Sequence, residues 1–315
     1  MLLSPLARAQ HALTRLQATS AAASAGIREG LWARLAFREA SGWLAHQGHW
    51  IHPLDLALRE AGLTGSYAAA RLGERLPSVL PATTGAVDII HDVPEDQEVT
   101  IALTLGRLWR RLAESRSWRP LHDPENLAAT LAPLGEGNPA AALAEWQRFE
   151  VAHDLPALIL AGLAARDWEQ TGRRDRLSLC GLFLAACIWQ GEGEVALPLW
   201  SAPAQRLHRL ALQPRAGWLP LFLEIAAEAA TLASQELARL QRAEARAAGL
   251  AHTVRSRLPA AAMVALRRPV ITARLLADSL AVSHRAALNL IRELETAKVI
   301  RETTGRLAWR AFAVV

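Results

Sequence analysis

A stretch near the C-terminus constrains the fold more than any other: ADSLAVSHRAALNLIREL, residues 277–294. Two short amphipathic segments lie on either side of Ala281-Val282, and a good helix N-cap precedes each, Thr272 before the first and Ser283 before the second. The second segment places its apolar residues at helical spacing on one face, namely Ala287, Leu290, Ile291 and Leu294. The pattern predicts two helices joined by a tight turn.

The residues that follow have strand character. VIRET (299–303) and RLAWRAFAV (306–314) are joined by a turn at 304–306. Two helices and a two-stranded wing are typical of a winged helix-turn-helix, whose second helix enters the DNA major groove. Arginine suits the edge of guanine and asparagine that of adenine, while the wing would meet phosphates or the minor groove. We predict these DNA-binding residues: Thr272, Ser283, His284, Arg285, Asn289, Arg292, Arg306 and Arg310. The alternative is a winged helix that contacts only protein.

The charge distribution supports the first interpretation. Residues 251–315 contain eleven Lys or Arg and four Asp or Glu, a balance of +7, whereas the whole chain of 315 residues is +5. A basic module on a near-neutral body is typical of nucleic-acid binding. A general bias towards arginine would explain the number of arginines in the chain but not their clustering in residues 251–315.

The rest of the chain predicts a mainly α protein with three parts: a helical segment 1–84, a helical body 85–250 and the terminal module 251–315. Ala, Leu and Arg dominate and β-branched residues are few. Helices are expected over 99–115, 219–246 and 251–264, and the very apolar stretches 155–170 and 176–190 are candidates for buried central helices. Breaks are expected at Gly26, at 48–53 and at 62–66.

Three further observations place the chain in the cytoplasm. It has no run of 18 apolar residues, which argues against a membrane span. Its first residues, MLLSPLARAQ, lack a secretory apolar region. Cys180 and Cys187 lie seven residues apart on one face of an apolar helix, too far for a disulfide, and are expected to pack in the core.

The body resembles a known family. LPALILAGLAARDWEQTGRRDRLSLCGLFLAACI, residues 155–188, is similar to the core of Fic-type adenylyltransferases, in which two helices flank a loop with a catalytic His and a Gly-Asn-Gly-Arg turn. That His and the Gly-Asn-Gly are missing here. Ser41 matches the serine of the family's inhibitory motif, but His46 or Gln47 replaces its glutamate. The layout also resembles a bacterial, often plasmid-borne, helix-turn-helix family with a domain of unknown function.

The resemblance implies a scaffold that has lost its catalysis, because nucleotidyl transfer needs a general base and an anion site. We therefore expect no enzymatic activity and no cofactor. Arg173, Arg174 and Arg176 either bind an anion, as a remnant of the phosphate site, or are solvated. The alternative is an adenylyltransferase-like enzyme with a relocated base, Glu169 or His153.

One further pattern, the His46-x2-His49-x2-His52 array, has the residue type of a zinc site. Gly48 and Pro53 interrupt the helix that would present it, so we expect no metal.

These observations together predict a DNA-binding transcriptional regulator. Its partner would be double-stranded DNA, and its body would serve dimerisation or sensing of a small molecule or nucleotide. A plasmid maintenance protein with an architectural DNA contact is the remaining alternative.

Overall fold

The computed structural model of the chain describes residues 2–62, 96–115, 121, 124–134, 155–169, 177–192, 196–250, 256–304 and 310–315. In chain order its elements are α1 (Leu3–Ala22), α2 (Ala25–His46), α3 (Pro53–Glu60), α4 (Asp96–Glu114), α5 (Pro124–Leu131), a 3-10 turn (Ala132–Leu134), α6 (Ala157–Glu169), α7 (Leu179–Glu192), α8 (Ala204–Ala211), α9 (Arg215–Ala248), α10 (Leu258–Arg267), β1 (Ile271–Thr272), α11 (Ala273–Leu280), α12 (His284–Thr296), β2 (Ile300–Glu302) and β3 (Ala311–Val314). The protein is mainly α, as predicted.

The chain divides into two compact units that are not continuous in sequence. The helical unit comprises residues 1–18, 38–50 and 79–233, and the basic unit comprises residues 19–37, 51–78 and 234–315. Helices α2 and α9 each contribute residues to both units. The domain boundaries expected from the sequence stay a prediction, but all of the predicted terminal module from residue 251 onwards lies in the basic unit.

The core of the helical unit is built around α6 and α7, which pack along each other. Every residue of α7 from Leu179 to Ile188 is buried, including Cys180 and Cys187. Both cysteines are free thiols, and burial raises the pKa of Cys187. The prediction that the two apolar stretches form buried central helices, and that the cysteines pack in the core, is therefore confirmed.

Helix α9 is long and apolar enough to cross a membrane, judged by length and composition alone, and it is the one helix among the described residues that passes this test. Its apolar part contains the buried residues Phe222, Ala226, Ala229 and Ala230. A helix that buries such a face inside the protein is typical of the core of a soluble domain. This helix therefore does not indicate a membrane protein.

The basic unit ends in three helices and a small sheet. Helices α10, α11 and α12 pack on one another, and the sheet has the antiparallel order β1-β3-β2. Ile271 pairs with Phe312, and Ile300 pairs with Val314. The sequence predicted two strands here; the third, β1, has only two residues and is too short to produce a recognisable alternation.

The break expected at Gly26 is present, but it lies slightly earlier in the chain, at residues 23–24. Helix α1 ends at Ala22 and α2 begins at Ala25, so Gly26 lies inside the first turn of α2. A Cβ at this position would overlap the sulfur of Met263 in α10. The side chain of Met263 therefore packs against Gly26. The other expected breaks, at 48–53 and from Gly62, lie between helices or at the edge of the described residues.

Candidate nucleic-acid interface

The first helix of the predicted motif, α11, begins with a side-chain cap. Thr272 has extended backbone angles, and its Oγ1 accepts a hydrogen bond from the backbone N–H of Leu275 at 3.1 Å. Such a cap satisfies one of the N–H groups that a helix leaves unpaired at its start. The hydroxyl of Thr272 is therefore used to fix the N-terminus of α11, and β1 leads directly into it.

The turn between the two helices is tight. Ala281 adopts a left-handed conformation with φ 50° and ψ 48°, and the backbone N–H of Val282 donates to the carbonyl of Ala277 at 3.1 Å. A non-glycine residue in this conformation costs about 1 kcal/mol, which the packing of α11 on α12 has to offset. The predicted turn at Ala281-Val282 is confirmed.

The second helix, α12, is capped by Ser283, whose Oγ accepts from the backbone N–H of Ala286 at 3.2 Å. Its two faces differ as the spacing predicts. The four residues of the predicted apolar face are buried: Ala287, Leu290, Ile291 and Leu294. The four predicted DNA-binding residues of the other face are exposed: His284, Arg285, Asn289 and Arg292.

The exposed face carries the chemistry that reads base edges. Arg285 and Asn289 lie one helical turn apart, so their side chains project from the same side. The Nη1 of Arg292 donates to the Oδ1 of Asn289 at 3.4 Å. The Nδ2 group of Asn289 can donate to an acceptor such as N7 of a purine.

The structure describes part of the wing. Arg310 is exposed at the start of β3, with its guanidinium 5.2 Å from the centre of the Phe312 ring and its Nη2 4.0 Å from Glu295. These contacts place a cation next to the sheet, where a phosphate could approach it. The other predicted wing residue, Arg306, lies outside the described residues.

An open groove of about 920 Å³ runs along this part of the basic unit. Its apolar lining comes from Val270, Leu275, Leu288 and Phe312. Its charged lining comes from Arg268, Arg274, Arg310 and Asp278, and Thr272 and His284, the cap of α11 and the first residue of α12, also line it.

Sequence reasoning missed two of the groove's three arginines. Arg274 is the second residue of α11, where it lies 4.0 Å from Asp278, and Arg268 follows the last residue of α10. Both are exposed. Their position just before and just inside a capped helix was the signal that could have found them, because backbone phosphates are contacted at helix N-termini.

The three histidines of the H-x2-H-x2-H array have separate roles. His46 is buried, and its Nε2 accepts from the backbone N–H of Leu177 at 3.1 Å. His49 lies 3.2 Å from Glu98, and Nδ1 of His52 accepts from the backbone N–H of Leu54 at the start of α3. Among the described residues no group of three His, Cys, Asp or Glu is arranged to hold a metal ion.

The candidate anion site, Arg173, Arg174 and Arg176, lies outside the described residues, as does His153. The side chain of Glu169, the other candidate base, is not described either. The anion site and the relocated base therefore stay predictions of the sequence.

Comparison with known families identifies the terminal module. Residues 258–315, which are 58 of the 315 residues, match the family model described as HTH DNA binding domain. A search of curated proteins finds no match to the chain. The matched residues contain α10, α11, α12 and the whole sheet. The match does not extend into the body, so the Fic-like resemblance of residues 155–188 stays a prediction.

Proposed function

From the helix-turn-helix DNA-binding domain at residues 258–315, we propose that this protein is a transcriptional regulator that reads a specific DNA sequence. The observation that carries the proposal is the division of α12 into a buried apolar face and an exposed face with His284, Arg285, Asn289 and Arg292. A helix with this division can pack on its own domain and present hydrogen-bonding groups to base edges at the same time.

Arg285 and Asn289 are the proposed base-reading residues. They lie in the N-terminal half of α12, which is the half of a recognition helix that reaches the bases. The carboxylates of α12, the exposed Glu293 and the half-buried Glu295, come later in the helix, away from the negative phosphates nearest to its N-terminus. Arg292 supports Asn289 through the contact between their side chains.

The backbone contacts are assigned to the groove and the wing. Arg310 is exposed beside the groove, and Thr272 and Ser283 stand at the N-termini of α11 and α12, where backbone N–H groups favour phosphate oxygens. Arg306 is the predicted second wing contact. These groups would fix the position of the protein on the duplex while α12 reads the sequence.

We further propose that the protein binds as a homodimer and acts in the cytoplasm or nucleoid, where its DNA is. A two-fold symmetric dimer would recognise two half-sites whose centres are about 34 Å apart, or a multiple of that distance. The helical body, with its Fic-like pair α6 and α7, would provide dimerisation or the binding of a small-molecule or nucleotide effector. Light scattering of the protein alone and on a duplex tests the stoichiometry.

The decisive experiment is fluorescence anisotropy with two labelled duplexes, one from the DNA that precedes the protein's own coding sequence and one with the same bases scrambled. Each is titrated at two salt concentrations. The test variant is Arg285→Ala/Asn289→Ala. The control is Gln241→Ala/Arg242→Ala, which removes one arginine and one amide from exposed positions of α9.

A sequence reader binds its own DNA more tightly than the scrambled duplex, typically by ~10³-fold or more. Each good bidentate contact contributes about 1–3 kcal/mol of discrimination, so the test variant should lose most of this preference while the control keeps it. Equal, salt-sensitive binding of both duplexes by the wild type would instead be the counterion effect alone. That result would exclude sequence reading at this site.

A further inference from the structure

The end of helix α10 needs hydrogen-bond donors. The last carbonyls of a helix have no partner within it, and α10 ends inside the packed basic unit, with Ala265 and Leu266 buried. The backbone N–H of Arg268 satisfies the carbonyl of Val264. The carbonyls of Ala265 and Leu266 must therefore find donors elsewhere.

Those donors come from Arg34, which lies in α2, more than 230 residues earlier in the chain. Its Nη1 donates to the carbonyl of Leu266 at 2.7 Å, and its Nη2 donates to the carbonyls of Ala265 at 3.2 Å and Arg268 at 2.7 Å. A planar guanidinium presents five N–H donors in a fixed fork and can bridge several carbonyls from separate atoms, whereas a lysine offers three donors from one nitrogen. The positive charge also suits the negative end of the helix dipole.

The buried charge is balanced within the same unit. The side chain of Arg34 is 5% exposed, and its Nε lies 3.7 Å from Glu236, which is 1% exposed. Glu236 also pairs with Arg239 at 2.7 Å. Gly30, one turn before Arg34, allows the approach, because a Cβ there would overlap the carbonyl oxygen of Leu266.

The segment held by Arg34 leads directly to the DNA-facing groove. One of the carbonyls bonded by Arg34 belongs to Arg268, whose side chain is exposed and lines the groove with Arg274 and Arg310. Four residues later Thr272 caps α11. We propose that Arg268 is a phosphate contact and that Arg34 is a positioning residue, which acts on DNA binding by fixing the backbone of Arg268. The inference rests on the DNA-binding function proposed above.

The test uses the full chain and four proteins: wild type, Arg34→Gln, Arg268→Ala and the double variant. The logarithm of the binding constant for the upstream duplex is measured against the logarithm of salt concentration. Loss of one phosphate contact reduces the magnitude of this slope by about 0.9, and loss of one charge-assisted hydrogen bond weakens binding about tenfold. We expect both changes in each single variant. The double variant should be no worse than Arg268→Ala, because both substitutions remove the same contact.

A matched control separates positioning from general loss of stability. Arg239→Gln removes another partner of Glu236 without touching the carbonyls that Arg34 holds. It should lower the melting temperature and leave the salt slope unchanged. All binding is measured at a temperature at which circular dichroism shows the variants to be folded.

An unchanged salt slope in Arg268→Ala would overturn the proposal. Because Arg268 is exposed, its substitution does not disturb the core, so this variant gives an answer even if Arg34→Gln does not fold. A double variant whose loss is the sum of the two single losses would also overturn it. The proposed function fails in a different way, when the wild type binds upstream and scrambled duplexes equally. The slope comparison can still be made on that non-specific binding, so the two failures are distinguishable.

Discussion

Helix α2 carries two buried ionisable side chains, Arg34 and Glu39, and each stabilises a different unit. In the basic unit, Arg34 donates to carbonyls at the end of α10. In the helical unit, Glu39 accepts hydrogen bonds from the backbone N–H groups of Leu199, Trp200 and Ser201, at 2.9–3.1 Å. Both side chains supply hydrogen-bond partners to backbone groups that are buried away from water. We call Arg34 and Glu39 the anchors of α2.

The two anchors differ in what depends on them. Glu39 holds a turn in the loop between α7 and α8, a part of the chain to which we assign no DNA contact. Arg34 holds the segment that leads to Arg268 and to the cap of α11. The comparison therefore suggests that substitutions at Glu39 change folding alone, whereas substitutions at Arg34 change folding and DNA binding together.

Among the substitutions that test this comparison, Glu39→Ala is expected to have the largest effect on the free energy of unfolding. The substitution leaves three backbone N–H groups without an acceptor, and each buried unsatisfied donor costs about 1–3 kcal/mol. We expect the free energy of unfolding to fall by about 3–5 kcal/mol, measured by urea denaturation. The folded fraction should bind DNA with the wild-type affinity and salt slope. A changed slope would show that the helical unit's anchor also positions a DNA contact.

Two glycines of α2 extend the same comparison to single methyl groups. A Cβ at Gly42 would overlap the carbonyl oxygen of Trp200, and a Cβ at Gly30 would overlap that of Leu266. Overpacking of this kind costs about 1–3 kcal/mol, so Gly42→Ala and Gly30→Ala should destabilise the protein similarly. Only Gly30→Ala is expected to weaken DNA binding, because it displaces the residues that Arg34 holds. Equal DNA affinities of the two variants in anisotropy would contradict this.

The caps and the two faces of α12 could be predicted from the sequence because their determinants are local. The caps at Thr272 and Ser283 act within three residues, and the helical spacing assigns each residue of α12 to a face. Burial of Leu290 and exposure of Arg285 and Asn289 follow from that spacing alone.

The anchors of α2 could not be predicted in this way. Arg34 and Glu39 stand in a helix where a charged residue is usually solvated, and their partners lie more than 150 residues away. Strand β1 was missed for the same reason, since its two residues pair with Ala311 and Phe312 about 40 residues later. The contact of Gly26 with Met263 could not be predicted either, because the two residues are equally remote in sequence.

The pH dependence of stability provides a third comparison, between the wild type and Glu39→Gln. In this variant an uncharged amide of the same shape replaces the carboxyl group. Burial raises the pKa of Glu39 above its usual 4.5, although the three backbone donors act in the opposite direction. The protonated carboxyl therefore contributes stability that is complete below pH 4.5 and is lost as the pH rises through the folded-state pKa. The unfolding free energy of the wild type, minus that of Glu39→Gln, should fall by about 1.4 kcal/mol per pH unit in this window.

Denaturant titrations of both proteins from pH 4.5 upwards measure that difference. A difference that increases with pH would mean that the ionised carboxylate is the stabilising form. The three N–H donors would then outweigh desolvation, and Glu39 would be a charged anchor like Arg34.

The substitution with the smallest expected effect compares the local cap of α12 with the long-range contacts of Arg34 and Glu39. Ser283→Ala removes the cap of α12, which typically costs about 1 kcal/mol. Ser279→Ala is the matched control, because Ser279 is exposed near the end of α11 and caps no helix. We expect thermal denaturation to show a lower melting temperature for Ser283→Ala and almost none of that loss for Ser279→Ala. If the two variants melt alike, packing of α12 on α10 and α11 fixes the start of this helix. The cap that the sequence predicts would then contribute little to the stability of the basic unit.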